Sequence, residues 1–410
     1  VMSMFAWYRE ADREARRALW AAALGWMLDA MDVMLYAFAL GAIQREFTLT
    51  SGEAGALASV TLLCSAIGGG WAGALSDRYG RARVLSWSIL VYSLSTAATA
   101  TSGSLAALVC WRALVGFGLG AEWSAGSVLV AETWPAQHRG KAIGLMQSGW
   151  AVGYILAALL AAAVLPRFGW RALFAVGVAP ALLAVWVRRG IREPQIWIEG
   201  RSARRVAGGF AALLGPPFVK RAAIAASVTA SLLIAYWGLF TWVPSYLAAP
   251  IERGGAGLGI VKSSAWMIPM QIGAFIGYTS FGMLADRFGR RPMLLLFVLA
   301  SAVLVPLYGA AARSATVLLA IGPLVGLFGH GYFSVFGAML AELFPTHVRG
   351  VAQGLCYNSG RALSALAPFA IGALADRAGY GPALGSTAAF FALGGALIFL
   401  LPETKGKTLE

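Results

Sequence analysis

Apolar residues along this chain come in long runs separated by short charged or Gly/Pro-rich punctuation. Twelve runs are legible, at 19–42, 54–75, 84–102, 105–130, 142–165, 170–188, 221–248, 264–285, 292–311, 315–340, 350–375 and 380–401. Since roughly twenty apolar residues cross a bilayer as a helix, each is long enough to span. The pattern predicts an all-α polytopic membrane protein with twelve transmembrane helices. One polar stretch breaks the series: residues 189–220 are rich in arginine and hold Pro194, Pro216 and Pro217. It reads as a cytoplasmic linker between a six-helix bundle at 1–188 and a second at 221–410.

Composition supports the same solvent. Of 410 residues, 59% are hydrophobic and only 12% charged, too few to clothe a soluble exterior of this size. The formal charge of +14 sits at the ends of apolar runs rather than on a soluble face, which argues against nucleic acid. Placing the N-terminus in the cytoplasm puts most Lys and Arg there and leaves Arg45, Arg167, Arg171, Arg253, Lys262, Arg313 and Arg377 outside. That is the positive-inside pattern, with both termini cytoplasmic. Cys64, Cys110 and Cys356 all lie in apolar runs without CxxC spacing, so neither a disulfide framework nor a zinc site is expected. Residues 1–17 are of mixed charge and the first apolar run is long enough to span, so no cleavable leader is expected. There is no GxxxxGKS loop, no HExxH and no nucleophile elbow, so neither ATP drive nor an enzyme is expected. A bacterial inner membrane suits these features.

The chain also repeats itself. GALSDRYGRAR at 73–83 returns as GMLADRFGRRP at 282–292, and ETWPAQHRGKAIGL at 132–145 as ELFPTHVRGVAQGL at 342–355. PRFGWR at 166–171 is echoed by DRAGYG at 376–381. All three echoes share an offset of 209 or 210, so the second half is a structural copy of the first, related by an axis along the membrane normal.

On these residues the sequence resembles the major facilitator superfamily of secondary transporters. The superfamily loop after the second helix is matched by Gly73, Asp77, Arg78, Gly80 and Arg81, and its copy by Gly282, Asp286, Arg287, Gly289, Arg290 and Arg291. The fourth-helix signature is matched by Arg112, Gly116, Gly118 and Gly120, and the tail Pro402-Glu403-Thr404-Lys405-Gly406 resembles that of sugar and organic-ion porters. The resemblance covers the whole chain and implies two pseudo-symmetric six-helix bundles. It also implies that the loops latch the halves in the outward-facing state, through Asp77 on one side and Asp286 on the other. Glu132, Arg139, Glu342 and Arg349 resemble a gating network at the cytoplasmic ends. The plainer reading of these charges is a solvated turn.

More informative are ionisable residues near the bilayer midplane, which are costly and functional by default. They are Asp29 and Asp32 on the first helix, Arg112 and Glu122 on the fourth, and Arg361 on the eleventh. Asp29, Asp32 and Tyr36 share one helix face. Two carboxylates on one face in low dielectric resist ionising together, which makes the pair proton-accepting. LDAMDVMLYAF resembles the first-helix signature of aromatic-acid:proton and sialate:proton symporters. An Asp32–Arg112 pair broken by protonation follows, with Glu122 as a second proton site or a substrate contact. A static pair holding the two helices together is the alternative.

Arg361 has no charged counterpart in the repeat, where Ala151 stands. A guanidinium is a bidentate match for a carboxylate, so Arg361 is expected to bind the substrate's carboxylate, with Asn358 and Tyr357 beside it. A salt bridge to an acid of the first half is the plainer reading. On the seventh helix, loosened by Gly238 and Pro244, Tyr236, Trp242 and Tyr246 are expected to face the cavity. Gln147 is a further candidate, as are Trp150, Tyr154, Gln271 and His330, although a lone helix histidine is more often packed. The expectation is a proton-coupled symporter importing a small organic acid anion, a monocarboxylate or aromatic acid, by alternating access as a functional monomer. It needs no cofactor beyond protons. The rivals are a facilitator or efflux antiporter for a sugar or drug and, in another class, a membrane enzyme or receptor.

Overall fold

The computed structural model describes residues 6–135, 138–179, 186, 215–344 and 346–405. The first half opens on a short helix, α1 (Ala6–Glu10), followed by α2 (Arg13–Phe47), α3 (Ser51–Tyr79), α4 (Arg81–Thr99), α5 (Leu105–Thr133) and α6 (Arg139–Ala175). The second half holds α7 (Pro216–Phe240), α8 (Val243–Ala248), α9 (Gly259–Phe288), α10 (Arg290–Ala310), α11 (Ala315–Gly331), α12 (Phe333–Glu342), α13 (Thr346–Ser364), α14 (Ala367–Ala378), α15 (Tyr380–Ser386) and α16 (Ala388–Ile398). No strand occurs among the described residues. Most of the 189–220 linker lies outside them.

These helices trace every expected pass except the sixth, which is described only at its start. Among the described residues, seven stretches are long and apolar enough to cross a membrane by themselves. Several passes are broken into two helices. The seventh breaks between α7 and α8, where Pro244 takes the first turn of α8, and the eleventh between α13 and α14, where Pro368 does the same. Proline lacks the N–H that an uninterrupted helix needs but fits a helix start. The fifth and sixth runs, expected as separate helices, join in α6 across a kink at Gly169, whose φ of 75° suits glycine. The first pass starts earlier than its apolar run, at Arg13, because Asp12 caps it by accepting the Ala15 N–H at 2.6 Å.

Within the first half α2 packs on α6, and α3 on α5; within the second, α9 packs on α11 and α7 on α13. The glycines of the fourth-helix signature explain one of these contacts. A Cβ at Gly116 would sit 2.1 Å from the Thr61 carbonyl, and one at Gly120 1.8 Å from that of Ser65. Only glycine lets α5 lie this close to α3. The repeat reuses the device, for a Cβ at Gly326 would sit 1.8 Å from the Met270 carbonyl. Between halves, α3 lies against α13 and α14, and α6 against α9.

Candidate functional site

A cavity lies between the halves, at mid-height of the bundle. Its first-half wall is Trp26, Asp29, Val33, Met34, Tyr36 and Ala37 of α2, Ala58, Thr61, Leu62 and Ser65 of α3, Arg112 and Leu119 of α5 and Trp150 of α6. The second half adds Trp237 and Thr241 from the α7 break and Arg361 from α13. Cationic and acidic groups thus meet in a chamber whose other walls are apolar apart from Thr61, Ser65 and Thr241.

Arg361 is 5% exposed, and its guanidinium makes no hydrogen bond or salt bridge to a described residue. Tyr357 lies within electrostatic reach of it. So does Asp29, across the cavity. Burying a guanidinium without a partner is costly, and an anion entering the cavity would remove that cost.

The acids sort differently from their spacing. Asp29 meets Glu122 carboxyl to carboxyl, more closely than it meets Asp32, and Tyr92 flanks Glu122. Glu122 fits here because Gly25 leaves room on α2: a Cβ at Gly25 would fall 1.9 Å from the Glu122 Oε1. Asp32, one turn along, is fully buried beside Thr96 with both carboxyl oxygens unbonded. The expected Asp32–Arg112 pair is corrected to a longer-range attraction. Arg112 Nε donates instead to Thr61 Oγ1 at 3.2 Å, and the guanidinium lies over the Tyr36 ring at 4.8 Å. Tyr36 in turn donates to the Ala54 carbonyl at 2.8 Å. The glycine contact of α5 with α3 is what brings Thr61 to Arg112.

Several expected cavity residues are placed elsewhere. Trp242 is fully buried and donates to the Pro368 carbonyl at 2.9 Å. Tyr246 donates to the carbonyls of Tyr308 and Gly309 at 2.8 and 3.1 Å. Both clamp the second half internally, because the helix break rotates their faces away from the cavity. The Asn358 amide donates back to the Gly354 carbonyl of its own helix at 3.0 Å, and Gln147 is buried outside the lining. Tyr236 stacks against His330 at 5.1 Å and Phe240 at 4.9 Å, behind Trp237. His330 is packed, as expected, with Nδ1 on the Gly326 carbonyl.

The sequence profile of the Major Facilitator Superfamily matches residues 22–280 and 263–410. The chain belongs to this superfamily. It is 35% identical over 414 residues to a probable 4-methylmuconolactone transporter of Cupriavidus pinatubonensis, covering 99% of this chain and 95% of that one. To the niacin transporter of Acinetobacter baylyi it is 30% identical, covering 96% and 95%. An inward-open structure of the xylose transporter of E. coli superposes with a TM-score of 0.75 at 20% identity, covering 96% and 98%, and shows the shared fold. The protein is therefore a multi-pass membrane transporter and not an enzyme.

The superfamily loops sit at one end of the bundle. The side chains of Asp77, Arg81, Glu132, Arg139 and Arg349 lie outside the described residues. Arg78 is exposed, over the Tyr79 ring. In the second copy Asp286 pairs with Arg290, which also reaches Glu342 at 3.5 Å. Glu342 accepts from Thr404 Oγ1 at 2.6 Å, and the Arg287 carbonyl accepts from Lys405 Nζ at 2.8 Å. Glu403 of the tail accepts the N–H groups of Arg290 and Arg291, each at 3.0 Å, and so caps α10. Burial pushes the Glu403 carboxyl upward, but the N–H groups of Lys405, Arg291, Arg290 and Thr404 outweigh it and hold it below the ordinary glutamate value. All these partners belong to the second half, so in this conformation the second loop and the tail brace their own half.

Sequence reasoning missed Trp26, Trp237, Thr61 and Ser65 as lining residues. Trp26 was within reach of the pattern, for it stands one turn before Asp29 on the same face of α2. Thr61 and Ser65, four apart, give one polar stripe on α3. Their partner α5 is set by tertiary packing, which no local pattern shows.

Proposed function

We propose that the protein is a proton-coupled symporter that imports a small organic acid anion by alternating access, as a monomer of the inner membrane with both termini in the cytoplasm. The observation that carries this reading is the buried Arg361 without a bonded partner, facing Asp29 across the cavity. The names of the niacin and 4-methylmuconolactone relatives agree with a small, ring-bearing organic substrate.

In this reading the substrate carboxylate takes the fork of Arg361. Asp29 and Glu122, carboxyl to carboxyl, hold one proton between them, because two contacting carboxylates in low dielectric do not both stay charged. Asp32 and Arg112 hold opposite charges a little further apart, with Thr61 and Tyr36 fixing the guanidinium. When the anion occupies Arg361, the Asp29–Glu122 pair loses the attraction of that cation and takes up a second proton. The loaded cavity is then close to neutral, the condition under which a charged chamber crosses the low-dielectric middle of the membrane cheaply. Release of acid and proton on the cytoplasmic side returns Asp29 to the field of Arg361. The Trp26, Trp150 and Trp237 faces supply an apolar wall for a planar ring, with Trp26 and Trp150 centroids 4.7 Å apart.

The test is uptake of labelled nicotinate and benzoate into proteoliposomes under an inward proton gradient. Gradient-driven accumulation, abolished by Arg361→Ala and by Asp29→Asn, is expected. One proton per monoanion is electroneutral, so an imposed voltage at fixed gradient leaves the rate unchanged. Transport that ignores the proton gradient, or survives Arg361→Ala, refutes the reading.

A further inference from the structure

Among the described residues, polar contacts between the halves lie inside the bundle, where Tyr154 donates to the Phe240 carbonyl at 3.0 Å, and at one end. At that end α3 begins and α14 finishes, and the two run antiparallel across the interface. The Asp376 carboxylate accepts the Ser51 N–H at 3.0 Å and the Gly52 N–H at 2.9 Å. These are free donors of the first turn of α3, and a carboxylate there also meets the positive end of the helix dipole. An acid of the second half therefore caps a helix of the first. Around it, Ser51 Oγ lies 3.3 Å from Tyr380 Oη, and Ser59 Oγ accepts the Phe369 N–H at 3.3 Å. The backbones approach so closely that a Cβ at Gly55 would sit 2.3 Å from the Pro368 carbonyl.

At the opposite, arginine-rich end no described polar contact crosses between halves. There, nothing among the described residues lies within 4 Å of a Cβ placed on Gly140, Gly144 or Gly354. At the Asp376 end the described residues therefore sew the two halves together. The sewn end carries the third echo of the internal repeat, DRAGYG, whose first-half mate has Pro166 at the position of Asp376.

We propose that Asp376 is a gating residue of transport: it closes the outer end by capping α3 and lets go when that end opens. The latch that the loop motif assigned to Asp77 stands at the other end of the same helix, so α3 would be held at alternate ends in alternate states. Because the cap spans the halves, it exists only while they are closed on this side, and it biases the cycle without touching substrate. The proposal rests on alternating access but not on any substrate.

The test measures conformation directly. Spin labels on Thr101→Cys and Arg313→Cys, exposed on outer loops of the two halves, report the outer distance in a chain whose Cys64, Cys110 and Cys356 are replaced by serine. Asp376→Asn is expected to raise the ratio of long to short distances on the order of tenfold, the loss of a charge-assisted bond pair. Gly55→Ala is expected to do the same by steric conflict with Pro368. Ser51→Pro, which removes one donor at a position where a helix accepts proline, shifts it less. Glu53→Gln, an exposed acid of the same helix turn that bonds only to Thr50 of its own half, leaves the distribution unchanged. A parental distribution in Asp376→Asn and Ser51→Pro overturns the proposal; a shift in Gly55→Ala alone assigns closure to packing and overturns it equally. Loss of nicotinate uptake with a normal distance response would fault the substrate reading instead.

Discussion

The two walls of the cavity belong to halves that repeat one another, yet they carry different charges. The first-half wall presents Asp29 and Arg112, with Glu122 and Asp32 buried behind them; the second-half wall presents Arg361 alone, where the repeat has Ala151. Asp32 and Tyr36 correspond to Trp242 and Tyr246, and the comparison is instructive residue by residue. Both tyrosines spend their hydroxyl on a backbone carbonyl of a neighbouring helix in their own half, so that position kept its packing task. At the other position one copy holds a buried acid without a hydrogen bond and the other an indole bonded to Pro368. Duplication preserved the frame, and the charge asymmetry across the cavity arose on top of it.

The strongest way to break this asymmetry is to remove the lone cation of the second wall. Arg361→Ala is expected to lower proton-driven uptake of nicotinate about a hundredfold or more, since a charged hydrogen-bond pair is worth ~3 kcal/mol and 1.4 kcal/mol is tenfold. Uptake within a factor of three of the parent would show that the anion sits elsewhere.

Next in size are the acids facing it. Asp29→Asn and Glu122→Gln are each expected to cut gradient-driven accumulation roughly ten- to a hundredfold, the usual range for a proton-transfer group. Exchange of labelled for unlabelled acid at equal pH should persist. Loss of exchange and accumulation together would assign the pair to substrate binding rather than to coupling.

A smaller effect is expected where the repeat kept only packing. Trp242→Phe forfeits the bond to Pro368, about 1 kcal/mol of stability, while the KM for uptake stays within about twofold of the parent. A large rise in KM would place Trp242 back in the substrate path.

The smallest effect belongs to the tail. Glu403→Gln weakens the cap on α10 by about 1 kcal/mol. Because the folded Glu403 carboxyl is held below its unfolded value, its contribution is present above that unfolded value and is lost as pH falls through the folded one. The difference in melting temperature between parent and variant is therefore greatest near neutrality and vanishes in strong acid. A difference independent of pH would mean that the charge of Glu403 is not what braces the loop.

Much of this was legible without coordinates. The period and length of the apolar runs announced the passes, and the offset of 210 announced two like halves, because lipid demands continuous helices and duplication leaves its register in the chain. Ionisable residues at mid-run pointed to Arg361, Asp29, Arg112 and Glu122, since burial of charge in lipid is tolerated only for a use. What failed was rotation and partnership. Spacing alone paired Asp29 with Asp32, whereas the structure pairs it with Glu122, whose approach depends on the bare backbone of Gly25. Trp242 and Tyr246 are expected in the cavity from a helix loosened at Gly238 and Pro244, but both side chains go to carbonyls of their own half, and no local pattern names those partners.

The sequence by itself determined the solvent, the helices, the doubling and the short roster of costly charges, all of which are local or periodic properties. Only the tertiary structure decided which charges meet, because each meeting joins helices far apart in the chain: Glu122 to Asp29, Thr61 to Arg112, and Asp376 to the start of α3, 324 residues away along the chain from Gly52. Those partnerships rest on close backbone approach at a few glycines, and that approach is a property of the packed bundle rather than of any one segment.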